Sequence, residues 1–258
     1  MFLIIRHMRV TILQHDITWA NPSENIRHID ELISRLPETD LIVLPEMFST
    51  GFVMEPENIA EGSESLSLRY LKSTAAARGC AIAGSVATYS ERRYVNRFYF
   101  VTPVGQVVFY DKHHLFTYSG EDKHYVAGSQ RVVTTYRGVR IRLLVCYDLR
   151  FPMWCRNTGD YDLALFVASW PQSRVDAWDT LLRARAIENQ CYVAGVNRIG
   201  SDPACHYCGS SAIIDPYGQV IATCPHNVES SATADIDMDK LTSFRDKFPV
   251  LKDADKIF

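Results

Sequence analysis

The chain has 258 residues, a mass of 29.3 kDa, 47% hydrophobic residues and a formal net charge of −3. That length suits one large domain, or two small ones at most, with enough apolar material for a sizeable core. A pI of about 6.2 removes the electrostatic case for nucleic acid or an anionic membrane as partner, and no repeat, heptad run or low-complexity stretch points to a fibrous or disordered chain.

The opening run Met1-Phe2-Leu3-Ile4-Ile5 is too short for a membrane-spanning helix, which takes about 20 residues. It also lacks the basic leader and small-residue cleavage site of a signal peptide. Met8 is an alternative start, because the first strand is expected near Arg9. Seven cysteines, an odd number, argue against a complete disulfide framework. With no export signal, they suggest reduced thiols in the cytoplasm.

Val10–Gln14 reads as a strand. Asn21-Pro22-Ser23-Glu24 then opens a helix, with Asn as cap, Pro in the first turn and Glu three residues after the cap. Ile26, Ile29, Ile33 and Leu36 follow at helical spacing, and Pro37 stops the run. Leu41–Leu44 is a fully apolar strand. A second helix is expected from Ser63 to Arg78, closed by Gly79. Strands are expected at Ala81–Val86, Asn96–Val101 and Val107–Tyr110, and a hairpin pairs Arg131–Tyr136 with Val139–Val145 around Arg137-Gly138. A short helix follows Phe151, then the strand Leu163–Val167 and a helix from about Val175 to Gln190. On that helix Trp178, Leu181, Leu182 and Ala186 share a face, and Ile187 off that face suggests burial on more than one side. Cys191–Val196, Ser211–Ile214, Val220–Ala222 and Ala232–Asp237 read as strands and Met238–Phe248 as a last helix. Alternation interrupted by hairpins, without a linker, predicts mixed sheets covered by helices. Two sheets face to face would bury strands on both sides, which suits the continuous apolar runs.

Three strand exits carry chemistry. Leu41–Pro45 delivers Glu46, Val107–Asp111 delivers Lys112, and Val139–Val145 delivers Cys146 ahead of a Pro-containing turn. Each has a plainer reading by itself: a salt-bridged rim carboxylate, a solvated strand end, a small core thiol. Together they have distinct jobs. A free thiol with a pKa near 8.5 is only a few per cent thiolate at neutral pH. A nearby ammonium shifts that balance towards thiolate, a carboxylate accepts the proton, and the same ammonium holds an oxyanion.

The segments Leu44-Pro45-Glu46-Met47-Phe48-Ser49, Tyr110-Asp111-Lys112-His113-His114-Leu115-Phe116 and Val145-Cys146-Tyr147-Asp148-Leu149-Arg150-Phe151-Pro152 resemble the nitrilase superfamily of carbon–nitrogen hydrolases in order and spacing. The resemblance continues through Arg183–Gln190 and Asp215-Pro216-Tyr217-Gly218, so it covers nearly the whole chain. Pro45–Phe52, His114-Leu115-Phe116 and Ala168-Ser169-Trp170-Pro171 are similar to the bacterial branch related to ω-amidase. The resemblance implies an αββα four-layer sandwich forming one domain over 1–258, with its core at about 9–248. It implies hydrolysis of a small linear amide with neither metal nor other cofactor, and a homodimer that extends the sandwich. It places Glu46, Lys112 and Cys146 as the catalytic set. It also places a second Glu at Glu121, with Asp122 competing, to fix Lys112. The expected course is attack by Cys146, with Glu46 moving the proton and Lys112 and the Tyr147 N–H holding the oxyanion. The substrate class it implies, ω-monoamides of dicarboxylates such as 2-oxoglutaramate or succinamate, needs a site for the far carboxylate. Tyr118, Trp170 and Arg174 are candidates to flank it, Arg174 having a solvated loop as its plainer reading.

Other readings stand beside this one. The same triad supports nitrile or N-carbamoyl hydrolysis, and the fold supports a non-catalytic scaffold, which the intact triad argues against. Cys205-His206-Tyr207-Cys208 has zinc-like spacing but no second pair, so it reads as a loop with incidental thiols rather than a metal module. His113-His114 lacks the local signatures of Cys–His proteases, and His114 reads as structural. Arg183 and Arg185 read as ion-pair partners, and Arg150 as a brace for the turn after Cys146.

Overall fold

The computed structural model describes residues 7–62 and 65–255. The amino-terminal apolar run and Ser63 lie outside the described residues. The first half comprises β1 (His7–Gln14), α1 (Pro22–Ser34), β2 (Leu41–Val43), α2 (Leu66–Arg78), β3 (Ala81–Ser90), β4 (Arg93–Val101) and β5 (Val107–Asp111). The second comprises β6 (Val133–Tyr136), β7 (Val139–Val145), α3 (Pro152–Cys155), β8 (Leu163–Ala168), α4 (Val175–Glu188) and β9 (Tyr192–Asn197). The chain closes with β10 (Ile199–Ser201), β11 (His206–Cys208), β12 (Ala212–Ile214), β13 (Val220–Thr223), β14 (Ser230–Asp237) and α5 (Met238–Lys247).

Among the described residues two six-stranded mixed sheets form, in the orders β14-β1-β2-β3-β4-β5 and β13-β12-β9-β8-β7-β6. Each has a parallel centre, β1-β2-β3 and β7-β8-β9, flanked by antiparallel strands. The expected sandwich of two sheets with helices outside is therefore present. Side-chain alternation explains the layering. From the first sheet Met8, Val10, Leu41, Val43, Phe98 and Phe100 point into the core shared with the second. Their neighbours Leu13, Ile42, Leu44, Ile82 and Tyr99 turn the other way, onto Ile29, Ile33, Leu71 and Ala75 of α1 and α2.

Local chemistry sets the element ends. Asn21 Oδ1 accepts from Glu24 N at 3.2 Å and caps α1. Ser65 Oγ accepts from Leu68 N at 2.8 Å and caps α2, which Gly79 ends in the left-handed region at φ 64°. Arg137 and Gly138, at φ 49° and 79°, form the two-residue turn between β6 and β7.

The structure departs from the sequence reading in several places, and β3 and β4 form a longer hairpin than expected. β1 starts at His7, before Arg9. Ile187 is 51% exposed, so α4 buries one face and not several. The segment around Cys205 and Cys208 is the hairpin β10–β11, not a loop; three-residue strands are too short to show alternation. No described helix is long and apolar enough to cross a membrane.

Candidate active site

The catalytic candidates sit where strands end. Glu46 follows β2 through Leu44 and Pro45, and the chain then turns sharply at Met47, whose φ is +45°. Lys112 follows β5. There Gly128 N donates to Lys112 O at 2.9 Å, an approach that requires glycine because a Cβ would stand 2.2 Å from Asp111 O. Cys146 follows β7 at φ +44°, a strained value for a non-glycine residue that turns the thiol out of the strand.

These exits converge. Lys112 Nζ donates to Glu46 Oε1 at 2.9 Å and to Glu121 Oε2 at 2.9 Å, and all three side chains are fully buried. Glu46 accepts two further bonds, from Asn96 Nδ2 to Oε1 at 2.7 Å and from Ser169 N to Oε2 at 2.8 Å. Glu121 Oε2 also accepts from Phe116 N at 2.6 Å, whereas Asp122, the competing candidate, is exposed. The Cys146 thiol lies close enough to Glu46 and Lys112 to feel both charges, and it borders a cleft of about 560 Å³. Lys112, read by itself as a solvated strand end, is instead the cation that holds two carboxylates underground.

Burial lowers the affinity of Lys112 for its proton, but Glu121 and Glu46 outweigh it and hold the ammonium above its ordinary value. The thiol behaves differently from the sequence expectation. Burial first, then the negative charge of Glu46, push Cys146 well above the ordinary thiol range, and Lys112 offsets only part of this. Losing the proton to solvent would leave another anion beside two buried carboxylates. Passing it to Glu46 moves charge without adding any. The arrangement therefore holds a neutral thiol at rest. Alkylation of Cys146 by iodoacetamide is accordingly expected to accelerate only as pH rises above the ordinary cysteine value near 8.5. Rate against pH over 6–10 checks this, and a midpoint below 7 contradicts it.

Trp170, Tyr118, Arg174 and Tyr147 all line the cleft. Trp170 is buried and its Nε1 donates to Arg174 O at 2.7 Å, while Tyr118 is 83% exposed. The Arg174 guanidinium lies 5.3 Å from the Phe116 ring centroid and 5.7 Å from that of Tyr118. Arg150, read as a brace, borders the same cleft, 4.9 Å above Trp170. Neither arginine is ion-paired among the described residues; of the two acids lining the cleft, Glu55 is exposed and Asp202 already accepts from Tyr207 OH at 2.6 Å and from the N–H groups of Ala204 and Cys205. Of the other arginines, Arg185 pairs with Glu188 at 2.8 Å as expected, while Arg183 Nε donates to Gly218 O. Cys205 also borders the cleft, and no group of three or more His, Cys, Asp or Glu among the described residues is arranged to hold a metal. Sequence reasoning missed Asn96 and Ser169. Ser169 had a usable signal, since it follows β8 as Glu46 follows β2; Asn96, a polar residue inside a strand, had none.

Two facing mixed sheets with a buried carboxylate, ammonium and thiol gathered at their strand exits describe a hydrolase. The sequence model of the carbon-nitrogen hydrolase family matches residues 9–246, and the chain belongs to that family. It is 47% identical to "Omega-amidase YafV" of Escherichia coli (strain K12) over 96% of this chain and 97% of that one. It is 37% identical to "2-oxoglutaramate amidase" of Bacillus subtilis (strain 168), covering 96% and 97%. The crystal structure of XC1258 from Xanthomonas campestris, a CN-hydrolase superfamily protein with an arsenic adduct in its active site, superposes with a TM-score of 0.95 at 40% identity, covering 98% of each chain.

Proposed function

We propose that the protein hydrolyses ω-monoamides of dicarboxylates, such as 2-oxoglutaramate or succinamate, to the diacid and ammonia. The observation carrying this reading is the buried ion-paired chain Glu121–Lys112–Glu46 beside the Cys146 thiol, which borders the cleft. Cys146 attacks the amide carbonyl while Glu46 takes the thiol proton. Lys112 and the N–H of Tyr147, in a tight turn whose first N–H groups have no intrahelical acceptor, hold the oxyanion. Glu46 returns its proton to the departing nitrogen, which leaves as ammonia, and a thioester remains. Water, deprotonated by Glu46, attacks the thioester; the acid is released and the thiol reformed. Asn96 and Ser169 keep the Glu46 carboxylate aimed at the sulfur. Lys112 is held by Glu121, which leaves it no freedom to follow the substrate.

The far carboxylate meets Arg174, supported by its lack of an ion-pair partner among the described residues and its position over two aromatic rings at the cleft wall. Ammonia release from 2-oxoglutaramate and succinamate, compared with butyramide, the matching nitrile and an N-carbamoyl amino acid, tests the reading. The ω-amides should lead in kcat/KM by about tenfold or more; equal rates for succinamate and butyramide would remove the carboxylate site. Arg174→Met is expected to raise KM for succinamate about tenfold, the scale of a charge-assisted hydrogen bond, and to leave butyramide unchanged.

The proposed setting is a homodimer in the cytoplasm. Seven unpaired thiols favour a reducing compartment. Exposed Ile187, Tyr217, Val220 and Phe248 lie on α4, the β12–β13 turn, β13 and the end of α5, giving a second copy apolar surface to cover. Sedimentation velocity at micromolar concentration reads the oligomer directly.

A further inference from the structure

The two oxyanion donors of the proposed mechanism belong to different sheets. Lys112 leaves β5 of the first and Tyr147 follows β7 of the second. Something must hold those two exits in register, and the residues around Asp148 do so.

Asp148 is fully buried and accepts four hydrogen bonds. Val145 N, in its own turn, donates to Oδ2 at 3.0 Å. The other three donors come from the Lys112 segment: Tyr110 OH to Oδ2 at 2.7 Å, and His114 N and His114 Nδ1 to Oδ1 at 3.0 and 2.8 Å. Tyr110 OH in turn accepts from His113 N at 3.0 Å and from Trp154 Nε1 at 2.9 Å. Rings reinforce the tie. His114 stacks on Phe151 and His113 on Trp154, each at 3.7 Å between centroids. Residues on either side of Lys112 are thus fastened to residues that follow Cys146, and a single carboxylate takes part in most of the polar links.

We propose that Asp148, through its bonds to His114 and Tyr110, is a positioning residue that sets the distance between the Lys112 ammonium and the Tyr147 N–H. Its carboxylate makes no hydrogen bond to the Cys146 sulfur among the described residues; its backbone carbonyl accepts from Cys155 Sγ at 3.2 Å. Because oxyanion stabilisation depends on both donors meeting one oxygen, a small displacement of one exit weakens the transition state more than the ground state. His114, a structural residue by sequence, becomes the main cross-sheet strut. This inference rests on the proposed amide hydrolysis.

The test separates hydrogen bonding from packing at His114. His114→Phe keeps a ring to stack on Phe151 and loses the Nδ1–H donor. His114→Asn loses the ring and retains an amide N–H where Nδ1–H was. With succinamate as substrate, His114→Phe should lower kcat by about 10- to 100-fold at a KM within about twofold. His114→Asn should recover most of that loss. Iodoacetamide alkylation of Cys146 should keep its wild-type rate in His114→Phe, since the Glu46 contact is untouched. Tyr110→Phe supplies a second arm, with a smaller fall in kcat at unchanged KM, and it decides the matter if His114→Phe does not fold. The reverse order at His114, equal losses in both variants, or wild-type kcat in Tyr110→Phe would each overturn the inference. An inactive wild type would instead overturn the proposed reaction, so the two failures are distinguishable.

Discussion

Replacing Cys146 with alanine is expected to stop turnover while leaving the fold in place. The Ser169 hydroxyl donates to the Glu46 backbone carbonyl rather than to its carboxylate, so the proposed reaction assigns no second nucleophile, and the carboxylate, separated from the carbonyl by the space the sulfur filled, has only water to deprotonate. Loss of a covalent nucleophile from a preorganised site costs about six orders of magnitude in kcat where it has been dissected, with a residual from oxyanion donors and binding. A fall of at least about four orders is therefore expected here. Stability should change little, by about 1 kcal/mol. The substitution deletes one atom at the edge of a cleft, the positive φ persists in the variant, and no ion pair is broken. Ammonia release measures the first part and calorimetric Tm the second. A second consequence concerns binding. With the thiol gone, Glu46 and Lys112 still hold each other, so the variant should retain succinamate binding and allow a complex to be crystallised without turnover. Full activity in Cys146→Ala would end the thioester mechanism.

Much of this site was legible in one dimension because strand exits are. An apolar run that ends in Pro45-Glu46, or in Cys146 ahead of a proline, places a reactive group on rigid backbone at a sheet edge, and the two apolar faces of β2 and β8 foretold a sandwich. What the residues did not disclose depends on distances. Lys112 reads as an ordinary solvated strand end until Glu46 and Glu121 are seen on either side of it. Burial and the charges of Glu46, Lys112 and Glu121 together raise the thiol, and no spacing reveals that burial outweighs the cation. Asn96 and Ser169 act on Glu46 from strands distant in the chain. Arg150 looked like a brace for its own turn and instead faces the cleft beside Trp170. Ile187 fell off the apolar face of α4 and suggested wider burial, but it stands exposed beside Gly218, where only a folded neighbour or a second chain would explain it. The β10–β11 hairpin, with strands of three residues, was too short for any periodic pattern.

Lys112→Met is expected to be damaging twice over, and the two effects can be pulled apart. The first is energetic. Lys112 is fully buried between Glu46 and Glu121, and removing one partner of a buried ionic network leaves uncompensated charge, at a cost of about 3–5 kcal/mol. Burial, and then repulsion from Glu46, already raise the Glu121 pKa in the intact protein, with Lys112 opposing them. Without the ammonium the Glu121 carboxyl is pushed further upward. A carboxylate whose folded pKa exceeds its unfolded value is most tolerable below the unfolded value, and stability falls as pH rises through the folded one. The variant should therefore lie closest to wild type in acid and lose ground towards neutrality, which urea midpoints across pH 4–8 would show. The second effect is chemical: loss of an oxyanion donor removes about 2.7–4 kcal/mol of transition-state stabilisation, two to three orders in kcat. Adding Glu121→Gln to Lys112→Met removes one of the stranded charges and should recover much of the stability near neutral pH, because the remaining carboxylate still has Asn96 and the Ser169 N–H. It should recover none of the rate. If the double variant regained turnover together with stability, Lys112 would be a scaffold cation and the oxyanion would have to be held by backbone alone.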